Sequence, residues 1–298
     1  MSDHVGDPAT EAFVAHRNLL FTVAYEMLGS AADAEDVLQE TWLRWVEADF
    51  AQVRDHRAYL VRITTRQALN RMRTVRRRRE AYVGSWLPEP LLTAPDVAED
   101  VELAESVSMA MLLVLETLSP TERAVFVLRE VFDVGYDEIA DAVDKTPAAV
   151  RQIAHRARRH VDARRPRQAA SAKAARAAME SFRHAVETGD PQALLDVLAP
   201  GVVLVGDGGG VKQASLHPIV GADKVTRFMI GNLAKKGLSI IVSAVTVNGT
   251  PALLVHLDGE VDGIMAFKVE GTLISGLYYV RNPEKLTRVA SRAPLTLR

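Results

Sequence analysis

The chain has 298 residues, enough for two or three domains, and its 48% hydrophobic content is sufficient for packed cores. The net charge of −2 means that the whole molecule is not a general polycation. The absence of cysteine excludes disulfides and thiolate metal sites. With no apolar signal core at the N-terminus and no stretch long enough to cross a bilayer, the sequence predicts a cytoplasmic protein without membrane contact.

The charges are unevenly placed along the chain. Residues 62–79 hold eight arginines and no acid, whereas residues 96–105 hold five acids and no base. This asymmetry predicts surfaces for specific charged partners.

The first predicted domain, residues 8–82, is all-helical. Apolar residues at helical spacing run from position 13 to 28, where Gly29 ends the helix. Ser30 and Asp33 form a capping box for the next helix, which is predicted to bury Leu38, Trp42, Trp45 and Val46. A further helix over residues 57–79 is predicted to expose Arg62, Arg66, Asn70, Arg73 and the arginine run 76–79.

Helical periodicity breaks between residues 82 and 95, where three prolines occur. This segment and the acidic stretch after it indicate a flexible linker over residues 83–105. Trp86 and Leu87 are apolar residues in a proline-fixed segment, and such groups usually dock onto another surface.

Residues 106–165 are predicted to contain a helix-turn-helix. Ser119 and Glu122 form a capping box with Pro120 at the first helical position, and a short helix over 136–143 buries Ile139 and Val143. Thr146 starts a third helix, whose apolar face is Val150, Ala154, Ala157 and Val161. Its outward residues suit the major groove of DNA, with Arg151 the candidate to read guanine and Gln152 the candidate for adenine. A solvated basic helix without a partner is the alternative.

The last predicted domain, residues 169–298, begins with helix 169–188 and continues in β-branched or aromatic runs bounded by glycine, asparagine and proline. The runs cover residues 202–205, 238–247, 252–257, 264–269 and 272–280. Helices followed by strands predict an α+β domain with a curved antiparallel sheet.

Three segments together resemble one family. AEDVLQETWLRW (residues 34–45) resembles the polymerase-binding helix of bacterial extracytoplasmic-function sigma factors, and AYLVRITTRQALNRMR (residues 58–73) resembles their promoter −10 helix. The helix-turn-helix resembles their −35-binding domain. YVGSWLPEPL (residues 82–91), Asp207–Gly210 and Asn282–Leu286 resemble motifs of a subgroup with a C-terminal SnoaL-like extension, a nuclear transport factor 2-like cone.

The resemblance implies a multidomain transcription initiation factor that performs no covalent chemistry and needs no cofactor or metal. Its partners would be core RNA polymerase and promoter DNA. The implied polymerase-binding residues are Asp33, Glu35, Asp36, Gln39, Glu40 and Arg44. The implied DNA-binding residues are Arg66, Asn70, Arg73, Arg76 and Arg77 for the −10 element, and Arg151, Gln152, His155, Arg156 and Arg159 for the −35 element.

The C-terminal extension is expected to regulate the factor through the linker. Trp86, Leu87, Pro88, Glu89 and Pro90 are expected to dock near Asp207, Gly208, Gly209 and Gly210, with Asn282 and Pro283 belonging to the same interdomain set. Consecutive glycines allow positive φ and close backbone approach, and Asp207 can accept backbone hydrogen bonds or cap the turn. The acids of residues 96–105 are a candidate mimic of RNA in the polymerase channel, or a solubilising linker.

Two alternatives stay open from the residues alone. An enzyme of the SnoaL type would use Asp207, His217, His256 or Asp258 as acid and base groups. A sensor would bind a small molecule in the apolar cone and so release the linker.

Overall fold

The computed structural model describes residues 7–49, 52–93, 107–164, 170–236 and 240–290. By their contacts the residues form two compact units. The first contains the described residues up to Glu80 together with Val114–Arg164. The second contains Ala81–Leu113 and the described residues beyond Arg165. The acidic stretch 96–105 lies outside the described residues.

One half of the first unit is formed by the helices α1 (Pro8–Leu28), α2 (Ala31–Val46) and α3 (His56–Glu80). Gly29 ends α1 in the left-handed conformation with φ 67°, and the Ser30 hydroxyl accepts the N–H of Asp33 at the start of α2, as predicted. Leu38 and Trp45 are buried. The prediction was wrong for Val46, which is 46% exposed because it follows the last core-facing turn, and Trp42 is only half-buried.

The other half of the first unit contains α5 (Pro120–Phe126), α6 (Tyr136–Val143) and α7 (Pro147–Asp162). The short helix α4 (Met109–Leu115) precedes these three helices in the chain. The Ser119–Glu122 capping box and the Thr146 cap are both present, and the four predicted apolar residues of α7 are all buried. A π-helical turn over Val127–Val131 extends α5, which the sequence pattern did not predict.

The two halves of the first unit contact each other through two arginines, the buried Arg123 and the half-buried Arg79. Arg123 is 1% exposed, and its Nε donates to the carbonyl of Glu26 at 2.7 Å. Glu116 forms ion pairs with both Arg123 and Arg79. Burial lowers the pKa of Arg79 to about 10, opposed by the nearby Glu116 carboxylate. Arg79 therefore belongs to this contact, and its placement on the exposed arginine surface was wrong.

The second unit includes the helices α8 (Ala172–Thr188), α9 (Pro191–Val197) and α10 (Ala222–Lys236). Its strands are β1 (Leu198–Asp207), β2 (Ile219–Val220), β3 (Ile240–Val247), β4 (Thr250–Leu257), β5 (Glu260–Glu270) and β6 (Leu273–Val280). A 3₁₀ turn (Pro283–Lys285) and α11 (Thr287–Ala290) follow. Among the described residues the strand order is β2-β1-β6-β5-β4-β3.

This arrangement confirms the predicted α+β class. The prediction of a wholly antiparallel sheet was wrong, because β1 pairs parallel with β6. The later strands are joined by short hairpins, whereas β1 is inserted from the helical part of the domain. Short connections force consecutive strands to pair antiparallel. A long stretch of chain separates β1 from β6, so these two strands can pair parallel.

The sheet has two buried faces. The helices cover one face, where Phe182 packs with Leu204, Leu253 and Leu277. On the opposite face, Leu87 packs against Val247, Leu254 and Val280. The segment predicted to be a linker thus takes the place of a second layer on the sheet.

Candidate functional site

The predicted −35 residues lie together on α7. Arg151, Gln152, His155, Arg156 and Arg159 are all exposed and lie close together on the outer face of this helix. The Arg156 Nε donates to Glu122 at 2.9 Å, so the cap of α5 also positions a basic residue of α7. The guanidinium carbon of Arg151 lies 6.0 Å from the centre of the Tyr136 ring. This convex basic helix has the shape and charge that a major groove accepts.

The predicted −10 residues follow one face of α3. Arg66, Asn70, Arg73 and Arg77 are exposed and recur every three or four positions, which places them on one side of a helix. The Arg66 Nη2 donates to the carbonyl of Asp141 in α6 at 2.7 Å. The side chain of Arg76 lies outside what the structure describes.

The predicted polymerase face of α2 is only partly exposed. Asp36, Gln39, Glu40 and Arg44 are exposed, and Glu35 is half-buried, where it accepts both hydrogen bonds of an Arg17 guanidinium nitrogen at 3.0 and 2.8 Å. Asp36 forms an ion pair with Arg71.

Asp33 is the exception on α2, and its assignment to the exposed face was wrong. It is 7% exposed, and its Oδ1 accepts from Arg71 at 2.9 Å and Arg78 at 2.8 Å. Burial alone would raise the pKa of Asp33, but the hydrogen bonds from Arg78 and Arg71 outweigh burial and lower this pKa. Asp33 therefore joins α2 to α3.

Within the second unit, the linker segment docks on the sheet domain through the fully buried carboxylate of Asp207. Its Oδ2 accepts the backbone N–H of Leu87 at 2.9 Å, and its Oδ1 accepts the hydroxyl of Tyr82 at 2.5 Å and the N–H of Gly209 at 3.1 Å. Both roles expected for Asp207 are present: it binds the linker backbone and caps its own turn. The burial of the carboxylate is offset by these donors.

Lys285 completes the charge balance of this dock. Its Nζ donates to Asp207 Oδ2 at 2.7 Å and to the Leu87 carbonyl at 2.6 Å. The same nitrogen lies 4.2 Å from the Trp86 ring centre. Both backbone groups of Leu87 are thus bonded to one buried ion pair. We call Tyr82, Trp86, Leu87, Asp207, Asn282 and Lys285 the linker dock.

The remaining predicted linker residues are also placed against the sheet domain. Pro88, Glu89, Pro90 and Leu91 are buried. Arg288 approaches Glu89 at 4.0 Å. The expectation of a flexible linker is therefore wrong for residues 87–91, because the proline-fixed segment is held by side chains distant in sequence.

Glycine is required in the loop 208–210 because neighbouring atoms leave no space for a side chain at Gly208 and Gly209. At Gly208 an added Cβ would lie 1.9 Å from the Lys212 carbonyl oxygen, and at Gly209 (φ 66°) it would lie 2.4 Å from Asn282 Cγ. At Gly210 (φ 74°) an added Cβ would lie 3.4 Å from Val83 Cβ in the linker. Asn282 in turn donates from Nδ2 to the Tyr82 hydroxyl at 2.7 Å and caps the turn that begins at Pro283. The loop and the Asn282 motif thus meet at Tyr82.

A second anchor was missed by the sequence reasoning. Asn248, buried and at φ 52°, accepts the Leu91 N–H at 3.1 Å and donates to the Val107 carbonyl at 3.0 Å. The Thr93 hydroxyl accepts from Gly249 at 3.1 Å. Asn-Gly between two strands is a hairpin signal that could have drawn attention to this position.

The residues proposed for an enzyme do not come together. Asp207 is taken up by the linker dock, and His217 and Asp258 are exposed. Neither these residues nor His256 lines the apolar cavity between the helices and the sheet of this domain. Of the described residues, no helix is both long and apolar enough to cross a membrane.

Comparison with known protein families assigns both halves of the first unit. The family model described as Sigma-70 region 2 matches residues 12–79, and the model described as Sigma-70, region 4 matches residues 108–161. A helical region 2 and a helix-turn-helix region 4 define an RNA polymerase sigma factor.

Relatives extend the match over nearly the whole chain. The ECF RNA polymerase sigma factor SigJ of Mycobacterium tuberculosis is 35% identical, with 92% of each chain covered. The probable ECF RNA polymerase sigma factor SigI of the same organism is 31% identical, covering 96% of this chain and 97% of its own. The crystal structure of SigJ has a TM-score of 0.76 at 32% identity and covers 93% of this chain and 98% of that chain.

The chain belongs to the extracytoplasmic-function (ECF) family of RNA polymerase sigma factors. It directs RNA polymerase to promoters and is not an enzyme. The predicted fold class is confirmed in its two helical sigma regions followed by an α+β domain, an arrangement that the SigJ crystal structure shares.

Proposed function

We propose that the α+β domain regulates promoter use through the linker dock, standing in for a separate anti-sigma protein. In the active state, the exposed residues of α2 contact core polymerase. The Arg66–Arg77 face of α3 contacts the −10 element, and the Arg151–Arg159 face of α7 contacts the −35 element.

The packing inside the first unit supports a resting state. Arg66 is a proposed −10 residue, yet it donates to Asp141 of region 4 at 2.7 Å. Arg79 and Arg123 share Glu116 across the same contact. Two promoter elements that lie apart on a duplex require regions 2 and 4 to separate, so these bonds must break before both are engaged.

The observation that carries the proposal is the bonding of the Leu87 backbone to Asp207 and Lys285. The segment between regions 2 and 4 is shortened whenever residues 82–93 are held on the sheet. Undocking lengthens the tether and favours the separated arrangement. The acids of residues 96–105 would enter the polymerase channel only in that arrangement; they lie outside the described residues.

In-vitro transcription with core polymerase on the upstream region of the protein's own gene tests the proposal. The full chain is compared with one ending after residue 210, which keeps the glycine loop, and one ending after residue 168. We expect the two truncated chains to differ from the full chain and from each other. Equal activity of all three would refute regulation by the α+β domain.

A further inference from the structure

The α+β domain contains a cavity of about 180 Å³ between α8, α10 and the helix-covered face of the sheet. Its wall is mainly apolar and includes Phe182, Leu204, Phe228, Val242 and Met265. One end is polar, where Asp262, Tyr279 and Arg281 meet. An apolar cavity with a small number of placed polar groups is the usual form of a small-molecule site.

The volume limits the ligand to about one ring. An apolar engineered cavity of about 150 Å³ lined by Leu, Ile and Phe stays dry and binds benzene. The present cavity is slightly larger, which leaves room for a ring with a short substituent. Larger polycyclic molecules do not fit without rearrangement of the wall.

The polar end selects an acceptor. Asp262 Oδ2 already accepts from the Tyr279 hydroxyl at 2.5 Å and Arg281 Nε at 2.8 Å, and its Oδ1 accepts from Arg281 Nη2 at 2.7 Å. Lys212 adds a second cation, 3.4 Å from Oδ1. Because two cations surround one carboxylate, the end carries net positive charge and favours an oxygen acceptor over an amine.

The cavity wall and the linker dock are made of consecutive residues. Gly206 lines the cavity and Asp207 binds the linker. On the neighbouring strand end, Arg281 lines the cavity, while its N–H and that of Asn282 both donate to the Asp207 carbonyl at 2.7 and 3.0 Å. Arg281 also binds the Gln213 carbonyl at the far end of the glycine loop. A ligand that orders Arg281 therefore orders the strand end on which the dock is built.

We propose that this cavity binds a small monocyclic molecule carrying one acceptor oxygen, and that its occupancy strengthens the linker dock. The regulatory consequence rests on the proposed function, whereas the binding itself does not.

The binding test uses acetophenone as the probe and cumene, which has nearly the same shape without the acceptor, as its control. Calorimetry on the full chain is expected to show saturable acetophenone binding, about tenfold or more tighter than cumene. Val242→Phe and, independently, Leu253→Phe fill the cavity and are expected to abolish binding. Circular dichroism identifies which of the two is folded.

The coupling test follows hydrogen exchange of the Leu87 amide. Acetophenone is expected to slow this exchange about fivefold or more, the lower range of allosteric coupling. By reciprocity Leu87→Ala, which removes the side chain that packs on the sheet, is expected to weaken acetophenone binding by up to the same factor.

Absence of saturable acetophenone binding, equal binding of cumene, or undiminished binding by a folded cavity-filling variant would overturn the site. Binding with unchanged Leu87 exchange would overturn the coupling. Failure of the truncated chains to differ in transcription bears on the proposed function alone, because the calorimetry and exchange measurements need no polymerase.

Discussion

The backbone N–H of Leu87 donates to the carboxylate of Asp207 at 2.9 Å, although the two residues are 120 positions apart. Leu87 lies in the segment between the two sigma regions, and Asp207 ends a strand of the α+β domain. This bond fixes the linker at a residue whose charge is balanced by Lys285. The regulation of this sigma factor is therefore expected to depend on the stability of one buried ion pair.

Replacement of Asp207 by asparagine should release the linker. The change keeps the shape but leaves Lys285 without its buried carboxylate, and breaking a buried pair costs about 3 kcal/mol. Exchange of the Leu87, Glu89 and Leu91 amides should rise roughly 100-fold. Asp258→Asn is the control, since Asp258 lies in an exposed turn and its replacement should leave this exchange unchanged. Protection of Leu87 in Asp207→Asn would show that the carboxylate does not hold the linker.

The glycine loop can be tested with two glycines of nearly equal φ. Gly209 has φ 66°, and a Cβ added there would collide with Asn282. Gly271 has φ 62°, and a Cβ added there would have no atom within 4 Å. Both alanine variants carry the backbone strain, of about 1–2 kcal/mol. Only Gly209→Ala should also speed exchange of the linker amides. Equal exchange in the two variants would contradict the packing role of Gly209.

The buried position of Asp33 predicts a pH-dependent contribution to stability. Its folded pKa is lowered, so its stabilisation is present above the ordinary carboxyl value of 3.8 and is lost as the pH falls through the folded value. Thermal unfolding should show Asp33→Asn clearly less stable than the natural chain at pH 7, with the difference shrinking below about pH 4. Glu40→Gln, whose side chain is 48% exposed, should show little difference at either pH.

Substitutions on the basic face of α7 are expected to affect DNA binding in two different ways. Arg151→Ala should lower affinity for the cognate −35 duplex by about 1–3 kcal/mol and relax its sequence preference. Arg159→Ala should weaken binding to all duplexes similarly and reduce the salt slope by about one. Arg183→Ala is the control, because Glu180 and Glu187 hold this arginine on α8 of the other unit. Identical effects of Arg151→Ala and Arg159→Ala would contradict the division between base and phosphate contact.

Local signals in the sequence predicted local structure well. The capping residues Ser30, Ser119 and Thr146 are where their spacing placed them, because each depends on atoms within three positions. Asp33 was misplaced because its charge partners, Arg71 and Arg78, lie on the next helix, 38 and 45 positions away in the sequence. Helical periodicity carries no information about such partners.

Only the local features of the linker dock could be predicted from the sequence. The proline-fixed apolar residues and the glycine loop indicated a docking pair, and the motif containing Asn282 also contains Lys285. That Tyr82, Lys285 and Asp207 converge depends on the pairing of β1 with β6, since Asp207 lies opposite Val280 in that parallel pair. A non-local pairing of this kind leaves no periodic signal in either strand.

The central claim is that the docked linker restrains promoter use. In-vitro transcription with core polymerase, comparing the natural chain with Asp207→Asn and Asp258→Asn, tests it most directly. If a docked linker favours the resting state by about 1 kcal/mol, Asp207→Asn should raise promoter-specific transcription about fivefold, and Asp258→Asn should match the natural chain. Unchanged transcription by an Asp207→Asn chain whose linker amides exchange rapidly would contradict the account.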